Sequence, residues 1–496
     1  MPQTVLRSVL PLAESFRAEY LSYYRILPLE ILDNRLRVAV AASPDEDALE
    51  DLRRTYNLDL ELVPASNAEL EEAIRLTFAQ AESVEGLVKD LDASLGDPGQ
   101  VESGVEDTRD LANQPPVIRL VNLLIRDAQA AGASDIHLEA TVSGLRVRLR
   151  IDGVLTEIPG PPRGLQAAVI SRLKLLAELD IAERRIPQDG RLRVRLEERE
   201  LDLRVGTVPT LHGESIVLRL LERGGRPVQL EELGMDPEVL SVMSRLCRKS
   251  HGIVLSTGPT GSGKTTTLYA ALGLRRPAEE KIVTVEDPVE YFLEGVTQVP
   301  VHTKAGVTFA TALRSILRQD PDLLLIGEMR DAETASIAIQ SALTGHLVFS
   351  TLHTNDAISA IPRLTDMGVE PYLVAATVEG VLGQRLVRRI CAECRTRYEP
   401  DPSVVSLLTH QPIGRVVLER GAGCNACRQT GYRGRVGLFE LFVMDETGRE
   451  LIARGSDVKV LREALRMGMR TLREDGWRKV QAGQTTVEEV LRVLGG

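Results

Sequence analysis

The stretch Gly258-Pro259-Thr260-Gly261-Ser262-Gly263-Lys264-Thr265 constrains this chain more than any other. It follows the apolar run Ile253-Val254-Leu255 and leads into Thr266-Thr267-Leu268-Tyr269-Ala270-Ala271-Leu272, so it sits where a strand turns into a helix. Glycines at 258, 261 and 263 let the backbone bend tightly and turn successive N–H groups inward. Phosphate oxygens placed there also feel the positive end of the helix. In such a loop Lys264 reaches the β and γ phosphates of ATP, Thr265 holds Mg²⁺ and Thr266 continues the cradle.

Three further blocks follow in order. Lys281-Ile282-Val283-Thr284-Val285-Glu286-Asp287-Pro288-Val289-Glu290 is an apolar strand ending in carboxylates. At the C-terminal end of a strand beside the P-loop strand, such groups touch Mg²⁺ or orient a water. The run Leu323–Ile326 reads as a buried parallel strand, and Glu328 just beyond it resembles a Walker B carboxylate. Arg314 and Arg318 are one helical turn apart, a spacing that suits either a shared phosphate-facing side or a solvated helix face. A last strand within Thr344–Asn355 is flanked by His346 and His353, read either as a γ-phosphate sensor pair or as structural histidines.

Cys391-Ala392-Glu393-Cys394 and Cys424-Asn425-Ala426-Cys427 form two Cys-x-x-Cys pairs 29 residues apart. Four thiolates about 2.3 Å from a tetrahedral zinc tie two knuckles together and leave no open catalytic position, so Cys391, Cys394, Cys424 and Cys427 are read as structural Zn²⁺ ligands. The fifth cysteine, Cys247, reads as a small apolar packing residue.

At 496 residues the chain divides into several domains. Residues 1–80 alternate short strands and helices as a small α/β docking domain, with strands near 24–32, 36–41 and 58–63, helices at 45–56 and 68–78, and a hairpin turn at Asp33-Asn34. Residues 81–114 read as an acidic flexible linker, with nine acidic residues against two basic ones between Glu82 and Asp110. Residues 115–225 form an α+β domain with a largely antiparallel sheet and helices at 117–131 and 165–179. There Asp135, His137 and Glu139 alternate either as a metal site or as the polar face of a strand, and Arg204 and Arg219 lie on successive strands. The ATPase core spans 226–388, the tetracysteine subdomain 389–434, and a helical tail 435–496, with helices at 458–467 and 486–494.

The net charge of −11 and 3% aromatic content argue against nucleic-acid binding. The N-terminus lacks a charged n-region followed by a long apolar stretch, which suggests a cytoplasmic protein.

Taken together, the phosphate loop, the aspartate box Glu286-Asp287-Pro288-Val289-Glu290, the atypical Walker B Gly327-Glu328-Met329-Arg330-Asp331 and the histidine box 344–355 resemble the secretion ATPase superfamily, hexameric motors of bacterial secretion systems and type IV pili. The tetracysteine insert is similar to that of the type II secretion and pilus extension branches, and the short N-terminal region points to the former. Met329 stands where the family commonly has Ile.

The resemblance implies a multidomain α/β fold with a RecA-like P-loop NTPase core, a PAS-like middle domain and a Cys₄ zinc insert. It implies a homo-hexamer that hydrolyses ATP to drive pseudopilus assembly and protein export, or alternatively pilus extension; a nucleic-acid translocase is the rival from another class. It implies that Glu286 and Glu328 organise metal and water, the base being either, and that Arg204, Arg219, Arg314 and Arg318 neutralise phosphate charge. Its implied partners are the cytoplasmic domain of a bitopic inner-membrane protein and a polytopic platform protein, with peripheral attachment to the inner membrane. Nine arginines against four acidic residues between Arg388 and Arg435 suit contact with acidic phospholipid or with an acidic cytoplasmic loop of a membrane partner, or alternatively a solvated surface.

Overall fold

The parallel strands of the central sheet are mostly short runs rich in Val, Ile and Leu, and their burial follows their position in the sheet. A computed structural model describes residues 16, 18–32, 35–41, 44–71, 73–74, 84, 86–88, 111–196, 199–222, 228–275, 277–411, 414–465 and 469–495. It divides into two units, Met1–Leu221 and Glu222–Gly496. Among the described residues no helix is long and apolar enough to cross a membrane.

In the first unit, β1 (Ile26–Leu32) pairs antiparallel with β2 (Arg35–Val40), which pairs parallel with β3 (Asp59–Pro64). The crossover helix Glu46–Tyr56 is capped by Asp45, whose carboxylate accepts from the Ala48 amide at 3.1 Å, and it stops at Asn57 in the left-handed region. The hairpin turn expected at Asp33-Asn34 and the end of the helix expected at 68–78 lie outside the described residues.

Most of the expected linker also lies outside them, but one part of that expectation needs correction. Val84, Leu87 and Val88 are buried in the same core as Val117, Leu120 and Val121, and the Val84 amide donates to Asp127 at 3.2 Å. Apolar residues at i, i+3 and i+4 share one helix face, so this short piece belongs to the folded middle domain.

That domain carries β4 (Ala133–Thr141), β5 (Gly144–Ile151), β6 (Val154–Ile158), β7 (Gln188–Leu196), β8 (Arg199–Thr210) and β9 (Gly213–Glu222) in the order β6-β5-β4-β9-β8-β7. Two helices, Pro115–Ala130 with prolines at its start and Gln166–Leu176, supply the core opposite Ile136, Leu138, Leu203 and Leu218. The antiparallel α+β expectation holds.

The second unit is built on β10 (Gly252–Thr257), β11 (Ile282–Glu286), β12 (Thr297–Pro300), β13 (Leu323–Ile326), β14 (Leu347–Leu352) and β15 (Val378–Ile390), with a small separate hairpin of β16 (Arg395–Tyr398) and β17 (Leu418–Gly421) and a last long strand β18 (Tyr432–Val443). The main sheet runs β12-β11-β13-β14-β10-β15-β18, parallel except for antiparallel β18 at its edge. Ile253 and Leu255 enter one core cluster and Val254 the other, so β10 is covered on both faces. This explains why it reads as an unbroken apolar run.

Strands β15 and β18 run through the expected boundaries at 388/389 and 434/435. The tail is likewise shared. Ile452 and Leu461 join the core of the main sheet, while Leu472, Val480, Val487 and Val490 pack with Val405, Leu408 and Leu418 beside the tetracysteine element. The helix Leu472–Gln481 escaped sequence reading although its start is marked by a capping box, Thr471 with Glu474.

Candidate active site and metal centre

Parallel pairing aligns the C-terminal ends of four strands. Thr257 of β10 pairs with Leu352 of β14, Ile326 of β13 with Ser350, and Val285 of β11 with Ile326. The phosphate loop after β10, Glu286 at the end of β11, Glu328 after β13 and His353 after β14 therefore share one edge of the sheet, the usual ligand edge of an open α/β sheet.

The loop has a shape that fits a phosphate chain. Gly258 and Gly263 take φ of 152° and 88°, values open to glycine, and the helix Lys264–Leu272 starts directly behind. The Ser262 hydroxyl is buried without a hydrogen-bond partner, as expected of a group aimed at a ligand. Lys264 is 8% exposed and its amine donates to the carbonyls of Gly258 at 2.7 Å and Pro259 at 3.0 Å. Burial pulls that amine down to about 8, with the nearby Glu328 charge opposing and Arg385 adding to the effect. Thr265 and Thr266 lie in the first turn of the helix.

The two candidate carboxylates differ sharply. Glu286 is 2% exposed and bound on all sides: the Tyr269 hydroxyl donates to one oxygen, and Thr284 at 2.5 Å and the Gln298 amide at 3.2 Å donate to the other. Glu328 instead meets charged, exposed groups. Arg330 lies at 2.6 Å and the half-exposed His353 at 3.3 Å from its two oxygens.

His346 does not belong with them. It precedes β14 and so lies at the opposite edge of the sheet, roughly 20 Å along a six-residue strand. Its ring is held by the Ser341 carbonyl at 2.9 Å and the Thr344 hydroxyl at 3.2 Å. The two histidines therefore do not form a pair: His353 alone lies at the ligand edge.

The arginines divide too. Arg314 is in the helix Phe309–Ile316 and pairs with Glu333, whereas Arg318 lies beyond that helix in a 3₁₀ turn and donates back to the Arg314 carbonyl at 2.8 Å. In the first unit, Arg219 on β9 donates to Asp135 at 3.0 Å, and Arg204 is on the neighbouring β8. Arg150 also approaches Asp135, and Arg146 and Arg148 bind Glu139. Arginines occupy both carboxylates of the Asp135-His137-Glu139 triplet, so its metal reading fails. Among the described residues the four cysteines form the one cluster suited to a metal.

The cluster fits zinc closely. Thiolates at the corners of a tetrahedron about 2.3 Å from the metal are about 3.8 Å apart. Three of the six sulfur separations match this, 3.8 Å for Cys391–Cys424, 3.8 Å for Cys394–Cys427 and 3.7 Å for Cys424–Cys427, and all four sulfurs lie within 4.8 Å of one another. Cys391 directly follows β15, Cys394 precedes β16, and Cys424 and Cys427 frame a 3₁₀ turn. Amide N–H groups of Gly423, Cys424 and Gly431 point at the sulfurs, at 3.2–3.3 Å. Burial opposes ionisation of Cys427, yet the Cys424 and Gly431 amides outweigh it and bring the thiol down to about 6.

The chain is similar to several known proteins. The family described as Type II/IV secretion system protein matches residues 110–492, and the MshEN domain matches residues 2–84. The chain is 47% identical to the type II secretion system protein E of Xanthomonas campestris pv. campestris over 489 residues, 98% of this chain and 86% of that one. It is 42% identical over 472 residues to the type IV pilus assembly ATPase PilB of Myxococcus xanthus, 94% of this chain and 83% of that protein. The solved pilus retraction motor PilT with bound ADP matches with a TM-score of 0.52 at 27% identity, over 74% of this chain and 95% of its own. The core is RecA-like and the chain is an ATPase. With its phosphate loop and carboxylates on one sheet edge and a match through nearly all of both units, the chain belongs to the Type II/IV secretion system protein family.

Proposed function

We propose that this ATPase works as a homo-hexamer that powers pseudopilus assembly and protein export in a type II secretion system. The observation that carries this reading is the convergence of Lys264 and Glu328 at one sheet edge, in a chain that aligns over 98% of its length with a type II protein E. The phosphates and Mg²⁺ rest on residues 258–266, with Thr265 as the protein's metal ligand. Glu328 orients the attacking water, His353 steadies Glu328, and Glu286 holds the loop helix against its neighbouring strands. Thr265 would hold Mg²⁺, which would supply positive charge to offset that of the phosphates. Arg204, Arg219, Arg314 and Arg318 take the roles the family resemblance gives them, neutralising phosphate charge.

Residues 1–80 dock to the cytoplasmic domain of a bitopic inner-membrane protein, and the enzyme also engages a polytopic platform protein, so it sits peripherally at the inner membrane. Several arginines of the tetracysteine region pair with carboxylates of the same unit, Arg395 with Glu419, Arg433 with Glu393 and Arg388 with Glu489, which favours a protein contact over a strong lipid field. Pilus extension is the second reading, favoured by the PilB match.

The test is the ATPase rate per chain against protein concentration, with and without anionic vesicles and the partner's cytoplasmic domain. A rate that climbs with concentration and partner is expected. A rate flat in both and raised by DNA would overturn the secretion reading.

A further inference from the structure

Strand β15 lies between the P-loop strand and the antiparallel edge, and its sequence Val378–Ile390 carries two polar residues, Gln384 and Arg385, in the middle of an apolar pattern. Both are buried, Gln384 at 1% exposure and Arg385 at 8%. Burying an amide and a guanidinium costs free energy unless their polar atoms find partners, and here the partners cluster about the phosphate loop. Gln384 Oε1 accepts from the Thr267 hydroxyl at 2.7 Å, on the loop helix. Arg385 donates to the Gln384 carbonyl at 3.0 Å and to the Asn355 carbonyl at 2.8 Å. Among the described residues no carboxylate forms an ion pair with this guanidinium.

The loop's glycines are tight against the same pair. A Cβ added at Gly263 would lie 2.8 Å from Gln384 Nε2. One at Gly258 would lie 2.5 Å from the Gln384 carbonyl and 3.0 Å from Arg385 Nη1. The two glycine hinges of the loop are therefore bracketed by one dipeptide of a neighbouring strand.

We propose that Gln384 and Arg385 are positioning residues that hold the phosphate loop in its ligand-ready form. Glycine hinges lose more conformational freedom on ordering than any other residues, and a loop that is only partly in its binding shape binds more weakly by that fraction. The β15 pair sets that fraction. Acting through the loop backbone, it affects nucleotide affinity and loop order.

The inference rests on residues 258–265 holding the phosphates. The experiment compares the full chain with Gln384→Ala, Gln384→Glu and Thr267→Val. It reads equilibrium binding of a fluorescent ADP with Mg²⁺ and amide hydrogen exchange of residues 258–263 without nucleotide. Gln384→Ala and Thr267→Val are each expected to weaken ADP binding by about tenfold, as one buried hydrogen bond is lost, and to speed exchange in the loop. The double variant should be little worse than either single one, and Gln384→Glu, which keeps the acceptor, should recover most of the loss. Unchanged affinity and exchange in folded Gln384→Ala and Thr267→Val, or strictly additive losses, would overturn the clamp. Failure of the unaltered chain to bind ADP would instead overturn the phosphate-loop assignment.

Discussion

Replacing Glu328 by glutamine is expected to slow ATP hydrolysis by about 10²- to 10⁴-fold, the usual worth of a positioned base, with nucleotide affinity nearly unchanged. The expectation follows from its surroundings. Glu328 keeps His353 and Arg330 as partners but no ring of neutral donors, so its oxygens remain available to a water. Lys264→Ala should behave differently, weakening binding by about 10- to 100-fold through loss of a charge-assisted contact to phosphate. Glu286→Gln should act mainly on stability. Its carboxylate accepts from Tyr269, Thr284 and Gln298, and an amide there sets donor against donor, at a cost of about 1–3 kcal/mol. Steady-state kinetics and thermal melts of the three variants check this; a rate collapse confined to Glu286→Gln would reverse the roles.

The same pair predicts a pH limb. The Lys264 amine is held down at about 8 by burial, so its charge is complete well below that pH and lost as pH rises through it. The KM for ATP should therefore climb above about pH 8. Glu328 raises the lysine, so Glu328→Gln should shift the limb to lower pH, a readout separate from the rate itself.

What the sequence made legible follows from physics that acts locally. Fully buried parallel strands read as apolar runs, and residues just past their ends, Glu328 and His353 among them, fall on the ligand edge. A run has no arrow in space, however. His346 and His353 flank one strand symmetrically in sequence, and only the parallel register with β10 shows that one of them faces away. The donors that enclose Glu286 come from two other elements, so its role was not visible from the aspartate box. Gln384 and Arg385 carry a signal in sequence as well, two adjacent polar residues in the middle of a strand that is buried there. The apolar spacing of Val84, Leu87 and Val88 was likewise masked by the acidic composition around it. Side-chain bonds across 117 residues, such as Thr267 to Gln384, lie beyond any window of sequence.

Removing zinc should unfold the tetracysteine region while leaving the central sheet intact. The segment from Cys391 to Cys427 has little core of its own: Val405, Leu408 and Leu418 rely on Leu472, Val480 and Val487 from the C-terminal helices. Segments this small seldom stay folded without a staple, and structural zinc contributes about 10–16 kcal/mol in comparable peptides at neutral pH. Burial opposes ionisation of Cys427, but its amide donors bring that thiol down to about 6, whereas Cys394 and Cys424 lie above the ordinary thiol value, so zinc binding displaces protons and weakens as pH falls. The purified chain should carry about one zinc. Chelation at pH 7.5, or Cys427→Ser, should open the arginines between 395 and 433 to trypsin, while the sheet core keeps its protection from hydrogen exchange. Acid release should follow the same course, with zinc retained as pH falls from 7.5 and lost once the thiolates are protonated. A chain isolated without metal that resists trypsin equally before and after chelation would mean that packing against the C-terminal helices holds the knuckles by itself.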